Sequence, residues 1–271
     1  MVHVYLKNFK KSWFIGLIGP IFVVGFLATI AISWPMSSMR EIILERVQMM
    51  NNPIYRAILG DIALPLEFQA QYPWQAALFM YGAGTIQIII LVATIFIPAR
   101  LLSTEIDKKA LDVVLSFPIP RWRYLLEKFS VFLTYNILYP ITLIATMIGT
   151  SIALNEEIEV TSVVFYAIGS WLILFSLGAL SLLCATVFLD SSKSLAAAGG
   201  VILGQYIFVS IGGLIEFLQD FQFLSLFNYF KVKTIVEEGF LPLGEVFIVV
   251  AVGIIALSAA LYIFHKREFA L

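Results

Sequence analysis

The side chains best suited to chemistry are few in this chain and poorly placed for it. Its two histidines, His3 and His265, stand near opposite ends of 271 residues. A His-Glu-x-x-His zinc pair on one helix face therefore cannot form. No Gly-x-Ser-x-Gly turn presents a nucleophile, and no Gly-x-x-x-x-Gly-Lys-Ser/Thr loop could cradle phosphates on backbone amides. Glu156, Glu157 and Glu159 form an acidic cluster with no histidine or cysteine beside it, which reads as a solvated turn rather than a metal site. The single cysteine, Cys184, lies in an apolar run and has no partner for an intrachain disulfide. No catalytic, cofactor-binding or metal-binding residue is assigned.

What remains is polar side chains embedded in apolar sequence. Gln87, Asn136 and Gln205 each sit inside a long hydrophobic stretch, where an amide must find a partner. That partner is either another helix or a transported molecule, so the three are candidates for a substrate path, with helix-to-helix bonding as the plainer alternative.

The elements that hold them follow from composition. The chain is 61% hydrophobic and 13% charged, where soluble domains carry about 25% charged residues. Mean hydropathy is +0.95. A net charge of −1 gives no basic excess for nucleic acid. A hydrocarbon core of about 30 Å needs roughly 20 helical residues, and each helix satisfies its own backbone hydrogen bonds. Six such stretches occur, at 13–33, 80–99, 129–154, 163–189, 194–215 and 246–264, all without charge. The predicted class is an all-α membrane protein forming a single transmembrane domain over 1–271. Residues 13–33 are too long for a signal peptide's apolar region and no small-residue cleavage site follows, so this stretch reads as a retained span.

Orientation follows from the 17 cations. With both termini cytoplasmic, Lys7, Lys10, Lys11, Arg100, Lys108, Lys109, Arg121, Arg123, Lys128, Lys193, Lys266 and Arg267 lie inside. Only Arg40, Arg46, Arg56, Lys231 and Lys233 lie outside, as the positive-inside rule expects of a cell-membrane protein.

Between the spans, residues 1–12 place Val2, Tyr5, Leu6 and Phe9 opposite Lys7, Lys10 and Lys11, the pattern of an interfacial amphipathic helix. A basic flank that only sets topology would look similar. The outer loop 34–79 carries a capping-box pattern, Ser38 with Glu41, ahead of a short amphipathic helix. A second outer helix is expected from Asn228 as N-cap to Gly239 and Pro242. The stretch 100–128 is charged yet brings Ile106, Leu111, Val114 and Leu115 onto one helical face before Pro118 and Pro120. Such a face invites a docking partner, unless it packs only on its own helix ends. Pro140 is expected to kink its span. Ala196, Gly200 and Gly204 form a small-residue ridge for close helix approach, within one subunit or between two.

The stretch from Glu105 reads Glu-Ile-Asp-Lys-Lys-Ala-Leu-Asp-Val-Val-Leu-Ser-Phe-Pro-Ile-Pro-Arg, followed at 126 by Leu-Glu-Lys. It resembles the segment after the second span in permease subunits of ABC transporters of the type-2, exporter, class. There the pattern is an acidic residue, Gly-Thr-Leu, Leu-Leu-Ser-x-Pro-x-Ser-Arg and Gly-Lys. Glu105, Leu111, Leu115, Ser116, Pro118, Arg121 and Lys128 match. Ala110, Asp112, Pro120 and Glu127 depart from it. A basic entry helix, six spans, outer helices before the last span and a short charged exit extend the likeness over nearly the whole chain. The subgroup with a long first outer loop, which includes permeases of multi-copper-enzyme maturation, looks closest.

The resemblance implies that Glu105 to Ser116 is a coupling helix seated in a separate ATPase subunit, with Pro118 and Arg121 fixing the turn into the third span. Residues 190–193, ending in Lys193, would form a second, smaller contact. It also implies that ATP and magnesium are held by that partner, that no cofactor is held by this chain, and that a second permease copy or a sister permease completes the assembly. The expected function is export of a hydrophobic or amphipathic substrate, with no catalysis in this chain. Spans lacking acidic or histidine side chains disfavour ion-coupled carriage. The rival readings are a membrane scaffold or receptor module, or a channel, neither with an ATPase partner.

Overall fold

The computed structural model describes residues 2–36, 40–42, 44, 45, 49, 52, 64–81, 94–100, 102, 120–188, 190–212 and 215–267. Helices carry this chain, and no strand occurs among the described residues. Helix is the form that lets so apolar a sequence satisfy its backbone polar groups without water. In order, α1 is Val2–Ser33, α2 Leu66–Gln71, α3 Pro73–Tyr81, α4 Arg121–Leu154, α5 Val160–Phe188, α6 Ser191–Gly212, α7 Glu216–Gln219, α8 Val232–Glu238 and α9 Leu243–Lys266. A further helical stretch covers 94–100.

Five of these, in α1, α4, α5, α6 and α9, are long and apolar enough to cross a membrane. Each overlaps one stretch expected as a span. The expected span at 80–99 lies largely outside the described residues; its two ends are the close of α3 and the stretch 94–100.

The first helix joins two expected pieces. Residues 1–12, expected as an interfacial helix leading into the first span, are continuous with it: α1 runs without interruption from Val2 to Ser33. Its early turns pack on α4: Tyr5 Oη lies 2.8 Å from Thr134 Oγ1, and the Phe9 and Tyr135 rings stack at 5.2 Å. Stacking of these rings fixes the early turns of α1 on α4. The 94–100 stretch is held differently, by Ser181 of α5, whose hydroxyl donates to the Ile95 carbonyl at 2.8 Å.

The centre of the bundle is α5. Within its most apolar window 56% of residues are buried, against 17–22% in the other four crossing helices. Lipid gives no hydrophobic drive between helices, so close packing and polar contacts must hold them. On α5, Ser176 donates to the Val249 carbonyl of α9 at 2.8 Å. Gly178 lets the Phe132 ring of α4 approach so closely that a Cβ there would fall 2.2 Å from it.

Two apolar clusters divide the core along its length. One joins Trp34, Trp74, Phe79, Tyr166 and Phe227; the other joins Tyr124, Phe129, Phe132, Leu182, Ala260 and Phe264. Helix ends are closed by local chemistry. Asn155 takes φ 53 after α4, and its N–H reaches the carbonyls of Ser151 and Ile152, a left-handed stop that asparagine tolerates. α8 stops at Gly239 with φ 71. Its expected N-cap, Asn228, is corrected: α8 begins after Lys231, and Asn228 lies in a preceding 3-10 turn, Leu226–Tyr229, capped by Ser225. Ser38 of the expected capping box lies outside the described residues, while Arg40, Glu41, Ile42, Leu44 and Glu45 are helical.

Candidate functional site

The sequence placed its candidate contacts at one end of the bundle and its candidate path within it. Gln87, Glu105, Leu111, Leu115, Ser116 and Pro118 lie outside the described residues. Arg121, Asn136, Lys193 and Gln205 are described.

Arg121 opens α4, directly after Pro120. Its guanidinium donates to the backbone carbonyl of Arg267, just beyond α9. Arg267 Nη1 in turn donates to the carbonyls of Thr186 and Val187 at 2.7 Å each, in the last turn of α5. Two cations thus join three helix ends, and the second sits where the α5 dipole favours positive charge. Sequence reasoning treated Arg267 only as a topological cation; its place one residue past the last apolar helix was the available signal.

Two turns further into α4, Lys128 is fully buried, its ammonium 5.0 Å from the Tyr124 ring. Beside it, Tyr124 Oη and Glu127 Oε2 are buried without a hydrogen-bond partner. Lys193 belongs to the first turn of α6. Its backbone N–H bonds to Asp190 Oδ1 at 2.8 Å, so Asp190 caps that helix, and the Lys193 side chain is exposed.

The two described amides occupy different surroundings. Gln205 Oε1 accepts from the Leu226 N–H at 3.0 Å and its backbone carbonyl accepts from Ser225 Oγ at 3.1 Å. It therefore anchors the start of the 3-10 turn Leu226–Tyr229. Asn136 is 94% buried on α4, which continues unbroken through Pro140. Its Nδ2 donates to the Trp171 carbonyl of α5 at 3.4 Å.

At the opposite end, Glu156 is engaged by aromatic and cationic groups. Trp34 Nε1 donates to Glu156 Oε1 at 2.7 Å, and Arg40 Nη2 lies 3.4 Å from the same oxygen. The Trp34 ring meets that of Trp74 at 4.9 Å. Next to them Gln75 clasps the start of α5, accepting from the Glu159 N–H at 2.7 Å and donating to Ser162 Oγ at 2.8 Å. Only the acidic cluster was visible beforehand, because its partners are more than eighty residues away in sequence.

Long apolar helices tied by polar groups at both ends define an integral membrane protein with several spans. The chain belongs to the ABC-2 family transporter proteins, whose family description matches residues 8–269. It is therefore a membrane component, a permease subunit, of an ABC transporter, a kind that works with an ATPase partner. A relative, the uncharacterized membrane protein YdbK of Bacillus subtilis (strain 168), is 25% identical over 196 residues, covering 68% of this chain and 79% of that one. No solved structure matches the chain.

Proposed function

We propose that this permease is the membrane body of an ATP-driven exporter of a hydrophobic or amphipathic substrate. A separate ATPase docks on residues 100–128 and holds the ATP and magnesium, and this chain performs no catalysis. Glu105, Leu111, Leu115 and Ser116 form the coupling face, Pro118 and Arg121 set the turn into α4, and Lys193 adds a smaller contact.

The observation that carries this reading is the tether from Arg121 through Arg267 to the end of α5. A push on the stretch before Arg121 reaches a point where α4, α5 and α9 are joined, so force moves the helices together rather than bending one loop. Six crossings with both termini cytoplasmic fit the same frame. Tyr5 and Phe9 on one terminus, and Arg267 on the other, both contact the first half of α4 or its start. Between α1 and α4 the chain passes from Trp74, packed on Trp34, to Ile95, bonded to Ser181 toward the other end of α5. That path supports a return crossing over 80–99. The long first outer stretch supports the copper-enzyme-maturation-like subgroup.

A second permease copy completes the assembly in this reading. Ala196, Gly200 and Gly204 are exposed on α6, and a Cβ on Gly200 or Gly204 would meet nothing within 4 Å. Among the described residues nothing packs on the two glycines of this ridge, which suits a partner helix.

The test is reconstitution with the ATPase whose reading frame adjoins this one. Complex formation and substrate-dependent ATP hydrolysis are expected, and Glu105→Arg or Pro118→Gly should uncouple hydrolysis from transport. If no complex forms and both variants transport normally, the docking assignment is wrong.

A further inference from the structure

Between α1, α4 and the stretch 94–100 lies an open cleft whose lining includes Gly16, Gly19, Pro20, Thr94, Asn136 and Tyr139. It sits within the apolar body, and no charged residue is among the described residues that line it. Asn136 is the focal group. Its Nδ2 is committed to the Trp171 carbonyl, which fixes which end of the amide is oxygen. Its Oδ1 accepts from no described residue. Asn136 is 94% buried and lines the cleft, so this uncommitted oxygen is the group it has left to offer a guest there.

The backbone adds to this acceptor character. Pro20 has no N–H to offer the Gly16 carbonyl four residues earlier, and Pro140 has none for the carbonyl of Asn136. Both residues whose carbonyls lose a helical donor therefore line the same cleft. Gly16 itself is filled by a neighbour, since a Cβ there would fall 2.2 Å from the Tyr135 ring, whereas a Cβ on Gly19 would meet nothing within 4 Å.

An acceptor-rich, uncharged cleft in an apolar body selects for a donor without full charge. A cation there would have no described carboxylate to offset its desolvation, and an anion would face oxygen lone pairs. A hydroxyl or amide N–H on an apolar chain loses little on leaving water if these oxygens receive it. We propose that the cleft binds a neutral amphipathic molecule, the hydroxyl or amide head donating to Asn136 Oδ1 and the chain lying among the surrounding aromatic and aliphatic groups. This rests on the transport reading for its role as a substrate site, but the binding itself does not require the ATPase.

The test uses the full permease, without ATPase, in phosphatidylcholine nanodiscs. Dodecanol carrying a photoreactive diazirine is the probe, with the matching alkane and primary ammonium compounds alongside it, and labelled peptides are mapped by mass spectrometry. Saturable labelling of the segments around Gly16 or Asn136 by the alcohol is expected, weaker labelling by the ammonium compound, and only unsaturable labelling by the alkane. Asn136→Leu, which keeps the shape and removes the acceptor, should weaken the alcohol's binding by about tenfold. Gly19→Leu, which fills the cleft and leaves Asn136 intact, should weaken it at least as much. Diffuse labelling of lipid-facing surfaces, equal labelling by alcohol and alkane, preference for the ammonium compound, or saturable labelling unchanged in both variants would each overturn the proposal. Complex formation with the ATPase, followed separately, distinguishes failure of the cleft from failure of the transport reading.

Discussion

Arg121 donates a hydrogen bond to the backbone carbonyl of Arg267, so the first residue of α4 is bonded to the residue that closes α9. The contact joins residues 146 positions apart in sequence. It matters because Arg267 continues the chain of bonds to Thr186 and Val187 in α5.

Arg267→Ala is expected to loosen this junction. Two charge-assisted bonds to helix-end carbonyls are lost near the surface, where water replaces part of their value, so the cost should be about 1–2 kcal/mol. Thermal unfolding in detergent measures it. A separate readout is ATP hydrolysis by the bound ATPase, which should persist while substrate movement falls. Unchanged coupling in a destabilised variant would limit the junction to a structural role.

Glu156→Leu should destabilise the other end of the bundle more than Glu156→Gln. Trp34 is 2% exposed, and leaving its indole N–H without an acceptor costs about 1–3 kcal/mol. Glutamine keeps an acceptor oxygen and loses mainly the pairing with Arg40, a partly exposed contact worth little. Equal losses for the two variants, measured by thermal unfolding, would show that charge rather than the indole bond holds this corner.

Glycine substitutions should divide by location. Gly178→Ala forces a methyl into the Phe132 ring and should cost about 1–3 kcal/mol through overpacking. Gly200→Ala meets open space in the subunit and should leave its unfolding temperature unchanged. Gly200→Trp should shift the purified permease from dimer to monomer by light scattering if α6 faces a second copy. Retention of the dimer would remove the ridge from the interface.

Five of the expected stretches overlap helices long and apolar enough to cross a membrane because hydrophobic length is a local property: a charge-free run of some twenty residues has few other stable forms in lipid. The small-residue ridge shows where local reading stops. Ala196, Gly200 and Gly204 are regularly spaced and were the visible packing motif, yet the close approaches among the described residues use Gly16, Gly169, Gly178, Gly212 and Gly253, which form no such series with one another. Spacing along one helix tells which residues share a face, and nothing of which face meets a neighbour.

By itself the sequence determined that this chain lives in a membrane as helices, that it carries no phosphate loop of its own, and which stretch resembles a coupling segment. Only the tertiary structure decided that Asn136 lines a cleft while Gln205 anchors a turn, that Glu156 receives Trp34, and that Arg267 joins three helix ends. The physical reason is range. Hydropathy and helix formation are settled over a few turns of chain, whereas an amide or guanidinium is assigned its task by partners that folding brings from as far as 146 residues away.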